Sequence, residues 1–359
     1  MRRMVRLVIV LAFVLASCRG DGGEGARTLS PTSGASPSLP PGTDPPTASP
    51  VPQIPTDHDL PPYGQLAETF EYDASEPLGF KGWKGFPVLP GERRVLSKER
   101  QGSTSVYSVE YRSSGHTVPA YLVIPDGQGP FPAVLYAHGE GSTLYYFLDD
   151  ALALARHGYA GLLITGPDSR EPYLPIGISW NARQDVRGSV QYAVDLRRGL
   201  DLLETLPEID PGRIGFVGYS AGAWVGAYLA GVEDRIDAYV LMSANRWPCA
   251  EASCTGTEYG YGALPPQHEL ERYLNGTTVL NAVPYLAHNE SAAFLFQAAK
   301  DDREGSVATI RGLFAAAPGP KMLRWYEGGH SLGWRGVHGP RPRMTRALLF
   351  HRAWLRRHV

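Results

Sequence analysis

Gly218-Tyr219-Ser220-Ala221-Gly222 is the stretch of this sequence with the clearest chemical content. A serine hydroxyl is a poor nucleophile until a base takes its proton. In the pattern G-x-S-x-G, between a strand and a helix, the serine sits on a sharp turn that projects its hydroxyl near a helix N-terminus, and flanking side chains would clash there. The apolar run at residues 213–217 supplies the strand, and the small-residue stretch 221–230 supplies the helix. Ser220 is therefore the predicted nucleophile of an acyl transfer, and it requires a histidine as base and a carboxylate to orient that histidine.

These partners are sought in the order nucleophile, acid, base, each after a strand. Of the 10 histidines, His330 is the one that a strand (322–326) delivers through a flexible Glu327-Gly328-Gly329 loop. His338 has no strand feeding it, His351 and His358 lie in a terminal helix, and His288 would invert the order. The preceding strand, 293–297, leads to Ala298-Ala299-Lys300-Asp301-Asp302. Asp301 is the first choice for the acid, Asp302 the runner-up and Glu304 third. Two backbone donors are needed for the oxyanion. One is expected from Ala221, after the nucleophile. The other is expected from Glu140, or else Gly139, in the loop His138-Gly139-Glu140-Gly141, where His138 should organise the loop. Tyr145, Tyr146, Trp180, Tyr219 and Trp247 lie on or near loops of the same edge and are candidates for an aromatic substrate pocket.

The elements that must position these residues alternate. Residues 106–111 and 120–124 are β-rich and separated by Ser113-Ser114-Gly115, which suits a hairpin. Apolar runs follow at 133–137, 160–165, 213–217, 238–242, 293–297 and 322–326, as expected for parallel strands covered on both faces. Between them lie helical stretches, chiefly 182–206, and an amphipathic helix at 344–358 closes the chain. This alternation predicts an α/β fold with a doubly wound, mostly parallel sheet. Residues 245–290, with a predicted helix at 268–274, are long for a crossover and read as a short cap.

The chain has 359 residues, 43% hydrophobic and 19% charged, so most of it can bury a core. Its net charge of −2 and lack of a basic stripe argue against a nucleic-acid partner. At the start, Arg2, Arg3 and Arg6 precede an apolar run at 7–16, too short to span a membrane, and Leu15-Ala16-Ser17-Cys18 follows. That ending resembles the bacterial lipoprotein box, in which the cysteine is lipidated. Of the 44 residues at 19–62, 11 are Pro, which reads as a flexible tether behind Cys18. The domain then occupies 63–359. The expected location is outside the cytoplasm, on the outer face of a bacterial cytoplasmic membrane. There Cys249 and Cys254 form an expected disulfide. No metal site is read from the sequence, and it carries no signal for oligomeric state.

From residue 105 onward the chain resembles the α/β-hydrolase superfamily, most closely its dienelactone-hydrolase-like and prolyl-oligopeptidase-like branch. The resemblance rests on Ala120-Tyr121-Leu122-Val123-Ile124-Pro125, on residues 132–139 ending in His138-Gly139, on Asp195-Leu196-Arg197-Arg198 leading through residues 209–214 to the Ser220 turn, and on Gly328-Gly329-His330. Dienelactone hydrolases proper use a cysteine nucleophile, and Ser220 stands here instead. The resemblance thus implies a serine hydrolase of carboxylic esters, of carboxylesterase or acetyl-esterase type. Small-molecule or glycan esters are the implied substrates, with no cofactor. A serine peptidase on the same triad is the alternative, and a non-catalytic surface binding protein the remote one.

Overall fold

A computed structural model describes residues 60–79, 104–244, 265–302, 304–332 and 346–359. Its strands form one sheet of eight in the order β1-β2-β4-β3-β5-β6-β7-β8. β1 (Thr104–Ser113) and β2 (His116–Pro125) make the predicted hairpin. Its two-residue turn places Ser114 at φ 46° and Gly115 at φ 79°, the left-handed pair that matches the strand twist. β2 runs antiparallel to β4 (Ala160–Ile164). From β4 onward the pairing is parallel, through β3 (Phe131–Ala137), β5 (Ile209–Tyr219), β6 (Ala238–Met242), β7 (Ala293–Ala299) and β8 (Lys321–Tyr326). The chain adds β4 on one side of β3 and then β5 on the other. That reversal opens a crevice at the C-terminal ends of β3 and β5.

Each predicted strand is present. Most extend past the apolar run that signalled them, and β7 runs through Ala299 rather than stopping at Gln297. Side chains alternate between two cores, one on each face of the sheet. Ala133, Leu135, Ile214, Phe216, Phe294 and Phe296 enter one core. Val134, Tyr136, Val217, Ala293 and Leu295 enter the other. Both faces are covered, which is why these strands read as unbroken apolar runs instead of alternating ones.

Helices α1 (Tyr63–Glu68), α2 (Leu148–Ala155), α3 (Ala182–Glu204), α4 (Ala221–Val232), α5 (Gln267–Gly276), α6 (Ala282–His288), α7 (Val307–Ala316) and α8 (Arg346–His358) cover the sheet. α2 and α8 contribute to the second core and the others to the first. α3 starts where the Asn181 side chain accepts the Gln184 N–H, which satisfies one otherwise unpaired donor of the first turn. The Asp195–Arg198 run on α3 is an anchoring device. Asp195 pairs with Arg170, Arg197 reaches Glu233 and the Phe70 carbonyl, and Arg198 reaches Asp201 and the carbonyls of Ala74 and Glu76. Residues 60–79 are bound to the domain in this way, with Leu66 and Phe70 in the core.

The stretch expected to be a cap is divided. Residues 245–264 lie outside the described residues, and with them Trp247, Cys249 and Cys254. α5 packs near the N-terminal end of α3, where Tyr273 Oη donates to Asp185 at 2.7 Å. α6 instead belongs to the layer beneath, where Tyr285 packs against Phe70 and Tyr228. Cys18 and nearly all of the expected tether also lie outside the described residues. Among the described residues no helix is long and apolar enough to cross a membrane.

Asp150 on α2 is fully buried, as is His351 on α8, whose Nε2 lies 2.8 Å from it; Arg352 holds the other carboxylate oxygen. Burial raises the Asp150 pKa, but His351 and Arg352 outweigh it and hold the carboxyl below its usual range. That contribution to stability is present above the ordinary aspartate pKa and lost as pH falls through the depressed one. Asp150→Ala should destabilise the fold by about 3–5 kcal/mol, because it removes the buried carboxylate that both His351 Nε2 and Arg352 Nε meet. Urea unfolding at neutral pH measures this, and a loss below about 1 kcal/mol would show that the Asp150 cluster does not hold α8 in place.

Candidate active site

β5 ends at Tyr219 and α4 begins at Ala221, so Ser220 alone makes the turn, at φ 51° and ψ −118°. A non-glycine residue in such a region stores about 1–3 kcal/mol of strain and needs surroundings that enforce it. Here the two glycines permit it. A Cβ on Gly218 would collide with the Gly222 carbonyl, and one on Gly222 with the carbonyls of Ala137 and His138. The Ser220 N–H donates to the Met242 carbonyl at 2.9 Å, and the Ser220 carbonyl accepts the Ala223 N–H at 2.8 Å. The side chain stands at the N-terminus of α4, where the unpaired amides and the helix dipole favour negative charge.

Ser220 Oγ lies 2.8 Å from His330 Nε2. On the other side of the ring, His330 Nδ1 lies 3.0 Å from both carboxylate oxygens of Asp302. The structure thus corrects the first choice of acid: Asp302 meets the ring, and Asp301 is exposed. The reason is the turn that follows β7. Residues 300 and 301 leave the extended conformation, and their consecutive N–H groups both donate toward β8 and its loop, Lys300 to the Tyr326 carbonyl and Asp301 to the Gly328 carbonyl. Asp302 follows that turn with its side chain 4% exposed, and its Oδ1 accepts the Glu304 N–H at 2.9 Å.

Two further residues gather here that the sequence did not single out for these places. Ser243, at the end of β6, donates its hydroxyl to the His330 carbonyl at 2.6 Å and its N–H to the Gln297 carbonyl at 2.7 Å. It ties the histidine loop to the centre of the sheet. Glu304, ranked third for the acid, stands on the other nitrogen of the ring, with Oε2 3.2 Å from Nε2. Burial opposes charge on His330, but the hydrogen bond and charge of Asp302, with the charge of Glu304, raise its pKa above the ordinary 6.5. Burial also raises the Glu304 pKa, against the pull of His330 and with the push of Asp302.

The loop after β3 lies directly on the serine. A Cβ on Gly139 would come within 3.1 Å of Ser220 Cβ. His138 fixes this loop. Its Nδ1 lies 2.8 Å from the Gly139 carbonyl, and its Nε2 accepts the Gly166 N–H at 2.8 Å. A ring nitrogen that accepts from an amide carries no proton, so His138 is neutral with its proton on Nδ1. Burial, which lowers its pKa, is consistent with that form. Asp168 accepts the Gly141 N–H at 2.7 Å, and Tyr192 donates to the His138 carbonyl at 3.1 Å. The Glu140 side chain folds against Gly177, where a Cβ would collide with its carboxylate.

Of the candidate aromatic residues, Tyr219 and Tyr146 belong to the site. Their rings stack with centroids 4.9 Å apart, and the Tyr219 ring is 5.4 Å from that of His330. Burial, with the charges of Glu304 and Asp302, keeps the Tyr219 phenol protonated well above its usual range. Tyr145 is turned to β2 instead, where its oxygen accepts the Tyr121 hydroxyl at 2.7 Å. Trp180 packs edge-on against Tyr273, with centroids 5.1 Å apart. Among the described residues no group of His, Cys, Asp and Glu is arranged to hold a metal ion.

An eight-stranded, mostly parallel sheet, covered on both faces and carrying a serine on a strained strand–helix turn, is the α/β-hydrolase fold. Comparison with solved structures bears this out. The acetyl xylan esterase from Paenibacillus sp. R4 superposes with a TM-score of 0.60 at 18% identity, over 83% of this chain and 93% of that one. No family model matches the sequence. Two curated relatives are similar in sequence. One is a candidate carboxymethylenebutenolidase of Synechocystis sp., 25% identical over 114 residues, which are 30% of this chain and 46% of that protein. The other is an uncharacterized peptidase of Bacillus subtilis, 24% identical over 256 residues, which are 68% of this chain and 38% of that protein. The chain thus spans less than half the length of each curated relative.

The raised pKa of His330 has a direct readout. Its stabilising contribution is complete below the ordinary histidine pKa and is lost as pH rises through the raised one. By NMR the His330 ring should titrate above 6.5. Asp302→Asn should bring the midpoint down, and Asp301→Asn should leave it nearly unchanged. A midpoint that the two variants move equally would remove Asp302 from its place on Nδ1.

Proposed function

We propose that this chain is a serine hydrolase of carboxylic esters. The observation that carries the reading is the line of contacts from Ser220 Oγ through His330 to Asp302, built on a turn whose strain the two glycines permit. In this mechanism His330 Nε2 takes the Ser220 proton as Oγ attacks the ester carbonyl. Asp302 holds the ring through Nδ1–H and stabilises the imidazolium. The oxyanion is received by the amides of Ala221 and Glu140, with Gly139 the alternative to Glu140. The imidazolium then gives its proton to the departing alcohol as the C–O bond breaks, leaving an acyl-serine. Water, deprotonated by the same nitrogen, hydrolyses that intermediate and restores Ser220. The steps balance with no cofactor. The fold shared with an acetyl xylan esterase supports small-molecule or glycan esters as substrates.

The likeness to a Bacillus subtilis peptidase over 68% of this chain favours a second reading, amide hydrolysis on the same residues. Both readings require a nucleophilic Ser220. A fluorophosphonate probe should label the native protein at Ser220 and fail to label Ser220→Ala, and p-nitrophenyl acetate should be turned over faster than peptide anilides. An unlabelled native protein would end both readings. Faster anilide turnover would favour the peptidase.

The Leu15-Ala16-Ser17-Cys18 segment and the Pro-rich stretch behind it support export and lipid anchoring at Cys18 on the outer face of the cytoplasmic membrane. In a bacterial host, Cys18→Ala should move the protein from the membrane fraction to the soluble fraction or medium. Membrane retention of the variant would refute the lipid as the tether.

A further inference from the structure

Among the described residues, His330 Nε2 meets Ser220 Oγ at 2.8 Å and Glu304 Oε2 at 3.2 Å. In the reaction proposed above, Nε2 is also the atom that hands a proton to the departing alcohol. That alcohol's oxygen must then lie within hydrogen-bonding reach of Nε2, and so no more than about 6 Å from the Glu304 carboxylate. A group on the next carbon of the alcohol lies within reach of Glu304 itself. The Glu304 backbone N–H donates to Asp302 Oδ1, and its side chain is 34% exposed. The Tyr219 and Tyr146 rings form a wall next to the histidine.

We propose that Glu304 reads the alcohol half of the ester, accepting a hydrogen bond from a hydroxyl one carbon beyond the scissile oxygen and repelling an anionic group at that position. The inference rests on the ester-hydrolase reading and deepens it. It selects esters of vicinal polyols, with the acyl group on one hydroxyl and the neighbouring hydroxyl free, over esters of simple alkanols. It disfavours esters whose alcohol half carries a carboxylate. Asp302 has a different task, since it meets Nδ1, on the side of the ring away from the alcohol.

The test compares three acetyl esters of similar size: 2-hydroxyethyl acetate, n-propyl acetate and acetoxyacetate. The native chain should show the highest kcat/KM on the first and the lowest on the third. Glu304→Gln keeps the backbone amide that Asp302 needs and removes the charge. It should cut the preference for 2-hydroxyethyl over n-propyl acetate by about tenfold, the worth of one charge-assisted hydrogen bond, and relieve the discrimination against acetoxyacetate. A purely structural role would lower all three substrates together and leave both ratios unchanged, which would overturn the proposal. Native protein that turns over all three at ratios close to one would also overturn it while leaving the ester-hydrolase reading standing. Native protein that turns over none of them would overturn both.

Discussion

Ser220 holds a backbone conformation that its neighbours must enforce, and the rest of the site is arranged around it. The turn exists because β5 feeds straight into α4 with one residue between them. That junction is possible because neither Gly218 nor Gly222 has a side chain to meet the carbonyls packed against it. The same close approach brings the end of β3, through Ala137 and His138, against the first turn of α4. The loop that faces the serine is thus positioned by the contact that permits the strain. His138 then locks the loop as a neutral ring bridging the Gly139 carbonyl and the Gly166 amide. Protonating it would turn an acceptor into a donor facing another donor, so burial of this ring protects the geometry as well as filling space.

The partners of Ser220 arrive from the other side, and their placement depends on parallel register. β6, β7 and β8 end at the same edge as β5, so the loops after them converge. Ser243 crosses over β7 to hold the His330 carbonyl, which makes the histidine loop a continuation of the sheet's hydrogen bonding. Two carboxylates then divide the imidazole between them, one on each nitrogen. Asp302 is nearly buried and hydrogen-bonded, and Glu304 is a third exposed.

Much of this was legible beforehand, for identifiable reasons. Strands covered on both faces must be apolar throughout, so the β3 to β8 runs stood out. The Ser220 turn carries glycines that serve no purpose elsewhere, and His330 sits behind a glycine pair after a strand. The acid was displaced by one residue because Asp301 and Asp302 are chemically identical in sequence. What separates them is a turn at residues 300 and 301, held by two backbone hydrogen bonds to β8 and its loop, and no side-chain pattern announces those. Ser243 and Glu304 were unreadable in these places because each acts across the sheet edge on a residue of another loop.

The way the chain enters the domain has a mechanical consequence. Tyr63 on α1 stacks on His288 and donates to the Gly231 carbonyl at the far end of α4, the end opposite Ser220. Leu66 and Phe70 are sunk in the core just beyond, and Arg197 and Arg198 grip the backbone from Phe70 to Glu76. A pull applied through residue 60 is therefore taken up by an aromatic stack, two apolar plugs and a guanidinium clamp. It enters at the C-terminal end of α4, at Gly231, away from the Ser220 turn at the other end of the helix. Tension there would have to shear those attachments before it reached the Ser220 turn.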